Sequence, residues 1–397
     1  MSKNLIFCAD GTWNGPNEPD VPDSSGKVTN VFKLFNNLAG EYTADTLALG
    51  QEQERVAQQN GAVRQHAKYL HGVGDSDNYL VKAIGGGLGT GLITRVVRGY
   101  TFISRNYAPG DRIFLIGFSR GAYTARALGG MIASMGLLDR AKVDLDDKEQ
   151  GYRCGAGVWL EYRKKALAAK TSLLNRLKGA FLDHLPAFFI TKTPNLAELL
   201  PVEIEAVAVW DTVGAYGIPI YNLEVEHLDL FQFADLDLST KVKTGLHAIA
   251  IDEQRKDFTP TLWNGRSGIK QALFCGAHSD VGGGYPANQS GLSDGALEWF
   301  TNELAALGVL FDADPKFKLA PDSAGMSHAP WASPPFNFLP RGPREFPAAL
   351  LISKYVLKRL TGGPVSIELA AQLAKYAPGN ISDYWSGSAY KPGVVEI

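Results

Sequence analysis

Short apolar runs, each broken off by a glycine or an aspartate, recur along the chain. They are Leu5–Ala9 before Asp10-Gly11-Thr12, Lys68–Leu70 before His71-Gly72-Val73-Gly74, and Arg112–Ile116 before Gly117-Phe118-Ser119. Ile204–Trp210 before Asp211-Thr212 and Ala272–Gly276 before Ala277-His278 complete the series. Apolar residues on successive positions, rather than alternating ones, mark strands covered on both faces, as in a parallel sheet. Between these runs the apolar period becomes helical, over Val28–Leu38, Leu92–Tyr107 and Ala122–Gly136. Strands alternating with helices predict an α/β fold with a mostly parallel, doubly wound sheet. One domain over 1–397 is expected.

Two stretches depart from the alternation. Residues 139–200 show no strand and read as a helical insertion, a lid or cap. Between Glu161 and Lys192 this stretch carries seven Lys/Arg and two acids, and it ends in Phe181, Leu182, Leu185, Phe188, Phe189 and Ile190. It reads either as a helical insertion with a solvated basic face or as a lid whose residues 161–192 touch an anionic membrane surface. Residues 315–347 contain eight prolines and read as a meandering loop, followed by helical patterns at Ala348–Leu360 and Ser366–Tyr376.

Composition narrows the classes. With 45% hydrophobic and 20% charged residues, the 397-residue chain is neither disordered nor collagen-like. Lys plus Arg (39) balances Asp plus Glu (41), so bulk charge gives no reason to expect nucleic acid. Three scattered cysteines, Cys8, Cys154 and Cys275, form no CxxC pair and suggest a reducing compartment. No leader-like h-region and no spanning apolar run is evident, so a cytoplasmic location is expected, with leaderless export compatible. No metal or cofactor motif is found; Gly85–Gly91 is glycine-rich but lacks the endings that cradle phosphates.

The chemistry centres on Gly117-Phe118-Ser119-Arg120-Gly121, a GxSxG placed between a predicted buried strand and a predicted helix. In a nucleophile elbow the serine occupies a strained turn, and its neighbours at plus and minus two must be small. A base and an orienting acid should follow in chain order. His278 follows an apolar run and opens His278-Ser-Asp280-Val-Gly-Gly-Gly, where a glycine loop can swing the imidazole over a neighbouring strand end. His247 reads as a core histidine, while His184 and His328 lie in the irregular stretches. Asp211 ends the strong run Ile204–Trp210 and is the favoured acid; Asp252 and Asp280 are alternatives, the latter better placed to fix the glycine loop. Oxyanion donors are expected from the amide of Arg120 and from the Gly11–Thr12 turn.

Taken together, Asp10-Gly11-Thr12-Trp13-Asn14, Gly72-Val73-Gly74, Gly110-Asp111 leading into GFSRGAY at 117–123, and Val209-Trp210-Asp211-Thr212-Val213-Gly214 resemble one bacterial family. So do His247-Ala248, Asp252-Glu253-Gln254-Arg255, the run His278–Tyr285 and, more weakly, Tyr376-Ala377-Pro378-Gly379-Asn380. The family comprises uncharacterised α/β-hydrolase domains and includes the Tle1-like phospholipase effectors of type VI secretion. The resemblance implies a serine hydrolase with Ser119 as nucleophile, His278 as base and Asp211 as acid, acting without a cofactor on carboxylic esters that include phospholipids. Two other readings use the same residues: a non-catalytic binding protein on a hydrolase fold, and an acyltransferase.

Overall fold

The computed structural model describes residues 2–11, 28–43, 52–71, 89–168, 195–213, 237–334, 336–338, 340–347, 349–391 and 394–397. Nine strands form one sheet in the order β2-β3-β4-β1-β5-β6-β7-β8-β9. They are β1 (Asn4–Ala9), β2 (Glu41–Tyr42), β3 (Glu52–Gln59), β4 (Ala62–Leu70), β5 (Arg112–Phe118), β6 (Ile204–Trp210), β7 (Val242–Ala250), β8 (Ile269–Phe274) and β9 (Leu351–Ile352). The seven strands from β4 to β9 across β1 run parallel, and β2 and β3 add an antiparallel edge. The protein is an α/β fold with a mixed, mostly parallel sheet.

Helices cover both faces of the sheet, as the unbroken apolar runs require. Leu5, Phe7 and Ala9 of β1 join the cluster under α2 (Gly89–Asn106), α3 (Arg120–Met135) and α4 (Lys148–Ala168). Ile6 and Cys8, on the opposite face, join the cluster under α1 (Asn30–Asn37) and α6 (Gly291–Ala306). A one-turn helix α5 (His278–Gly282) and a later α7 (Lys354–Thr361) complete the described α-helices. Burying each such Leu, Ile or Phe contributes about 1.5–3 kcal/mol, so both faces hold the sheet. A third cluster packs Ile249, Leu273 and Cys275 against Val356, Leu360, Tyr376 and Tyr384.

Strand β1 lies between β4 and β5, so chain order reverses beside it. Open α/β sheets bind ligands in the crevice at the carboxyl ends of the strands at such a switch point.

Some expectations need correction. The pattern at Ser366–Tyr376 forms no helix: Val365 and Ala374 pair as an antiparallel bridge around a turn in which Leu369 has a φ of 72°. Val365 and Tyr376 are buried while Leu369 and Leu373 face solvent, so the apolar spacing follows one buried edge rather than a helix face. The helix expected over Ala348–Leu360 begins only at Lys354, because Leu351 and Ile352 pair with β8 and Ser353 caps the helix. Within the basic stretch, Arg163 is fully buried in α4 with Tyr162, so it is no part of a solvated basic face; Lys164 and Lys165 are exposed. Residues 169–194, with the phenylalanine cluster, lie outside the described residues. Among the described residues no helix is long and apolar enough to cross a membrane.

Candidate active site

Ser119 follows β5 and precedes α3, with φ 56° and ψ −123°, a conformation that a non-glycine residue holds only at a cost of about 1–3 kcal/mol. Its N–H donates to the Trp210 carbonyl (3.2 Å) and its carbonyl accepts from Tyr123 N–H (3.2 Å). Its hydroxyl makes no capping bond to α3. The amino end of that helix, with its partial positive charge, lies at the serine.

The two glycines of the motif are required by contact. A Cβ on Gly117 would lie 2.3 Å from the Gly121 carbonyl oxygen, and one on Gly121 would lie 2.0 Å from the Ala9 carbonyl oxygen. The elbow therefore packs backbone against backbone and against the end of β1. Gly121→Ala is expected to force this packing apart at a cost of about 1–3 kcal/mol or more, read as a lowered midpoint of denaturant unfolding. A wild-type midpoint would show that the contact is easily relaxed.

Asp211 directly follows β6, the neighbour of β5, and also has a positive φ, 36°. Its N–H continues the parallel ladder to the Ala248 carbonyl (2.8 Å). Its carboxylate is fully buried, and its Oδ2 lies 2.7 Å from His278 Nδ1. Oδ1 accepts from Ala250 N–H (3.0 Å), and Arg344 donates to both oxygens. Burial alone would raise the pKa of this carboxyl; the Arg344 charge and the bonds from His278 and Arg344 overcome that and hold it well below the usual range.

His278 begins α5, so the expected swinging glycine loop is instead a short helix that fixes the imidazole at its first turn. Its backbone N–H donates to Glu253 Oε2 (3.2 Å), and Glu253 is itself paired with Arg255. The ring lies tilted against Phe118, the residue before Ser119, at 4.6 Å between centroids, and the Phe258 ring meets it edge-on at 5.1 Å. Burial lowers its pKa below the ordinary 6.5, against the pull of the Asp211 carboxylate, so the ring is neutral at neutral pH.

The other candidates take different places. Asp280 accepts from Ala277 N–H (2.9 Å) and from His328, whose N–H and Nδ1 lie at 2.9 and 2.6 Å, so it fixes the α5 turn. Asp252 accepts from Gly276 N–H (2.6 Å) and from the Tyr376 hydroxyl, and burial pushes its pKa up to about 6. Neither carboxylate bonds to His278. His247, in β7, accepts through Nε2 from Thr212 N–H (3.1 Å); burial and the nearby Arg126 lower its pKa to about 3. It is a core histidine that steadies the residue after Asp211.

On the oxyanion side, Gly11 N–H donates to Asp10 Oδ1 at 2.6 Å. The Asp10 carboxylate also accepts from Thr29 and Tyr69 hydroxyls, each at 2.7 Å, and burial, opposed by these bonds, raises its pKa to about 6. Arg95 donates to the Asp10 carbonyl at 2.6 Å. Asp10 thus braces the turn after β1; Thr12 lies outside the described residues. Sequence reasoning set His328 aside and missed Arg344 and the Glu253–Arg255 pair. Of the two missed, only the pair had a signal, since Asp252-Glu253-Gln254-Arg255 stood among the motif segments without a role.

The strained Ser119 at a strand–helix turn and the buried His278–Asp211 pair lie on one mostly parallel sheet of an α/β protein. The model of the catalytic domain of Tle1-like type VI secretion phospholipase effectors matches residues 3–303, and the chain belongs to this family. An uncharacterized protein of Saccharomyces cerevisiae is 30% identical over 140 residues, which cover 35% of this chain and 18% of that protein. An uncharacterized protein from Pseudomonas aeruginosa has a solved structure with a TM-score of 0.41 and 16% identity, the match covering 79% of this chain and 47% of that one. A Tle1 effector bound to the VgrG spike of the type VI secretion system gives a TM-score of 0.35 and 18% identity, covering 72% of this chain and 51% of the effector. The chain spans about half the length of these two solved chains.

Proposed function

We propose that the chain hydrolyses carboxylic esters, phospholipids among them, through an acyl-enzyme on Ser119. The observation that carries this reading is the 2.7 Å contact between His278 Nδ1 and Asp211 Oδ2, with the imidazole packed against the residue before the strained serine. Ser119 Oγ attacks the ester carbonyl carbon while its proton passes to Nε2 of neutral His278. Asp211 accepts from Nδ1–H, which fixes the tautomer and stabilises the imidazolium. The tetrahedral oxyanion is held by the Arg120 amide and by a second amide from the turn after β1 that Asp10 braces. The imidazolium then protonates the departing alcohol, and water activated by His278 releases the acid. Family membership supports phospholipid substrates.

A fluorophosphonate probe on the purified full chain tests the assignment, with the labelled residue found by peptide mass spectrometry. Labelling at Ser119 is expected; folded protein that resists labelling would favour the binding-protein reading. Because the imidazole must be neutral to act as base and its pKa is lowered, the acidic limb of kcat/KM should fall below pH 6.5, the ordinary value for histidine. A limb above that value would contradict a buried, neutral His278.

A further inference from the structure

Asp211 is gripped by a residue that lies beyond the 3–303 family match. Arg344, in the proline-dense stretch, donates from Nη1 to Asp211 Oδ1 at 2.7 Å and from Nη2 to Oδ2 at 2.9 Å. The same guanidinium donates to the Ala250 carbonyl (2.8 Å) and to the Phe258 carbonyl, which fix it from two sides. The Arg344 side chain is 3% exposed and that of Asp211 is 0%. A guanidinium presents its donors as a rigid planar fork, so two parallel bonds set the plane of the carboxylate as well as its charge. With Ala250 N–H also on Oδ1, the direction left for His278 Nδ1 is the one on Oδ2 that it occupies.

We propose that Arg344 is a positioning residue for this site, keeping Asp211 ionised and in the plane that meets His278. The proposal rests on the Ser119–His278–Asp211 reading. The other charged and titratable groups around the pair do not duplicate the role. His247 from β7 is neutral, and Arg126 from α3 lies beside His247. Glu253 and Arg255, between β7 and β8, pair with each other, and the Arg255 guanidinium stacks on Phe258 at 3.4 Å.

Removing the guanidinium leaves a buried carboxylate beside the imidazole. Its charge, no longer shared with a guanidinium, then favours the imidazolium and raises the pKa of His278. That displaces the acidic limb of the rate profile toward alkaline pH. A residue that only packs would lower the folded fraction without displacing it.

The test compares full-length wild type, Arg344→Gln and Arg344→Lys, reading kcat and KM for a p-nitrophenyl ester against pH, with near-ultraviolet circular dichroism to establish folding. Arg344→Gln should move the acidic limb to higher pH, because the His278 imidazolium loses a nearby positive charge and faces a carboxylate whose charge is no longer shared. Arg344→Lys should keep the limb near its wild-type position and lower kcat with little change in KM, because the charge remains but the fork is lost. A folded Arg344→Gln enzyme with the wild-type limb overturns the proposal. If Arg344→Gln does not fold, Arg344→Lys decides, and an unchanged kcat overturns it. Ser119→Ala is measured alongside: if that variant turns over normally, the underlying reading fails; if it is inactive, a failure of the Arg344 variants counts against the Arg344 proposal alone.

Discussion

Ser119→Ala is expected to lower ester turnover by about 10⁶-fold, the scale seen when a serine hydrolase loses its nucleophile. The fold should survive. The elbow is held by the backbone bonds of residue 119 to Trp210 and Tyr123 and by the packing of Gly117 and Gly121, none of which uses the hydroxyl. Alanine meets the same positive-φ strain that serine already bears, so the thermal midpoint should stay close to that of wild type. Steady-state turnover with the purified variant, set beside its melting curve, provides the check. Near-normal turnover in a folded variant would remove Ser119 from the mechanism.

Asp211→Asn should cost about 10⁴-fold in kcat, as loss of the orienting acid does in a serine protease. The carboxylate accepts only from donors: His278 Nδ1, two nitrogens of Arg344 and Ala250 N–H. An amide keeps one oxygen and gains two N–H groups. If its nitrogen faces His278, the imidazole is driven to the wrong tautomer; if it faces Arg344, donor meets donor. Unlike Ser119→Ala, this variant should also lose stability. Asp252→Asn and Asp280→Asn remove acceptors that hold loops, at about 1–3 kcal/mol each, and should leave the turnover of folded enzyme largely intact. A large loss of turnover in Asp252→Asn, with Asp211→Asn near normal, would show that the acid is misassigned.

What was legible in the sequence was local. The strained turn at Ser119, the strand β6 that leads into Asp211 and the position of His278 after β8 each follow from a few adjacent residues whose apolar run or glycine spacing has one physical solution. Of the edge hairpin of β3 and β4, only Lys68–Leu70 was read. Glu52–Gln59 are mostly polar, and Asn60-Gly61, whose φ values of 52° and 76° suit the tight turn that this pair favours, was passed over. Arg344 was not legible at all. It is one of 39 basic residues in the chain, it lies in a loop with no periodicity, and only the path of that loop back over Ala250 and Phe258 gives it a partner. His328 was set aside for the same reason, although the fold buries it against Asp280 and stacks Tyr285 on its ring at 3.4 Å. Arg163 misled in the opposite direction, since charge suggested solvent where the helix packing buries it.

The three aspartates near the ends of β6, β7 and β8 share one feature: each takes a buried partner from the last quarter of the chain, Arg344 for Asp211, Tyr376 for Asp252 and His328 for Asp280. On the ribosome these partners emerge late. Asp211 and Arg344 are separated by 133 positions, an interval of about 10 s at ordinary elongation rates. Throughout that interval the nascent chain already contains the serine turn and the histidine or is about to, but no guanidinium to neutralise the acid. Contacts this distant along the chain also form slowly, because a long loop must close before they return any free energy. On the proposed reading, a nascent or truncated chain would therefore carry Ser119 in an unarmed state, and competence would arrive as one of the final events of synthesis.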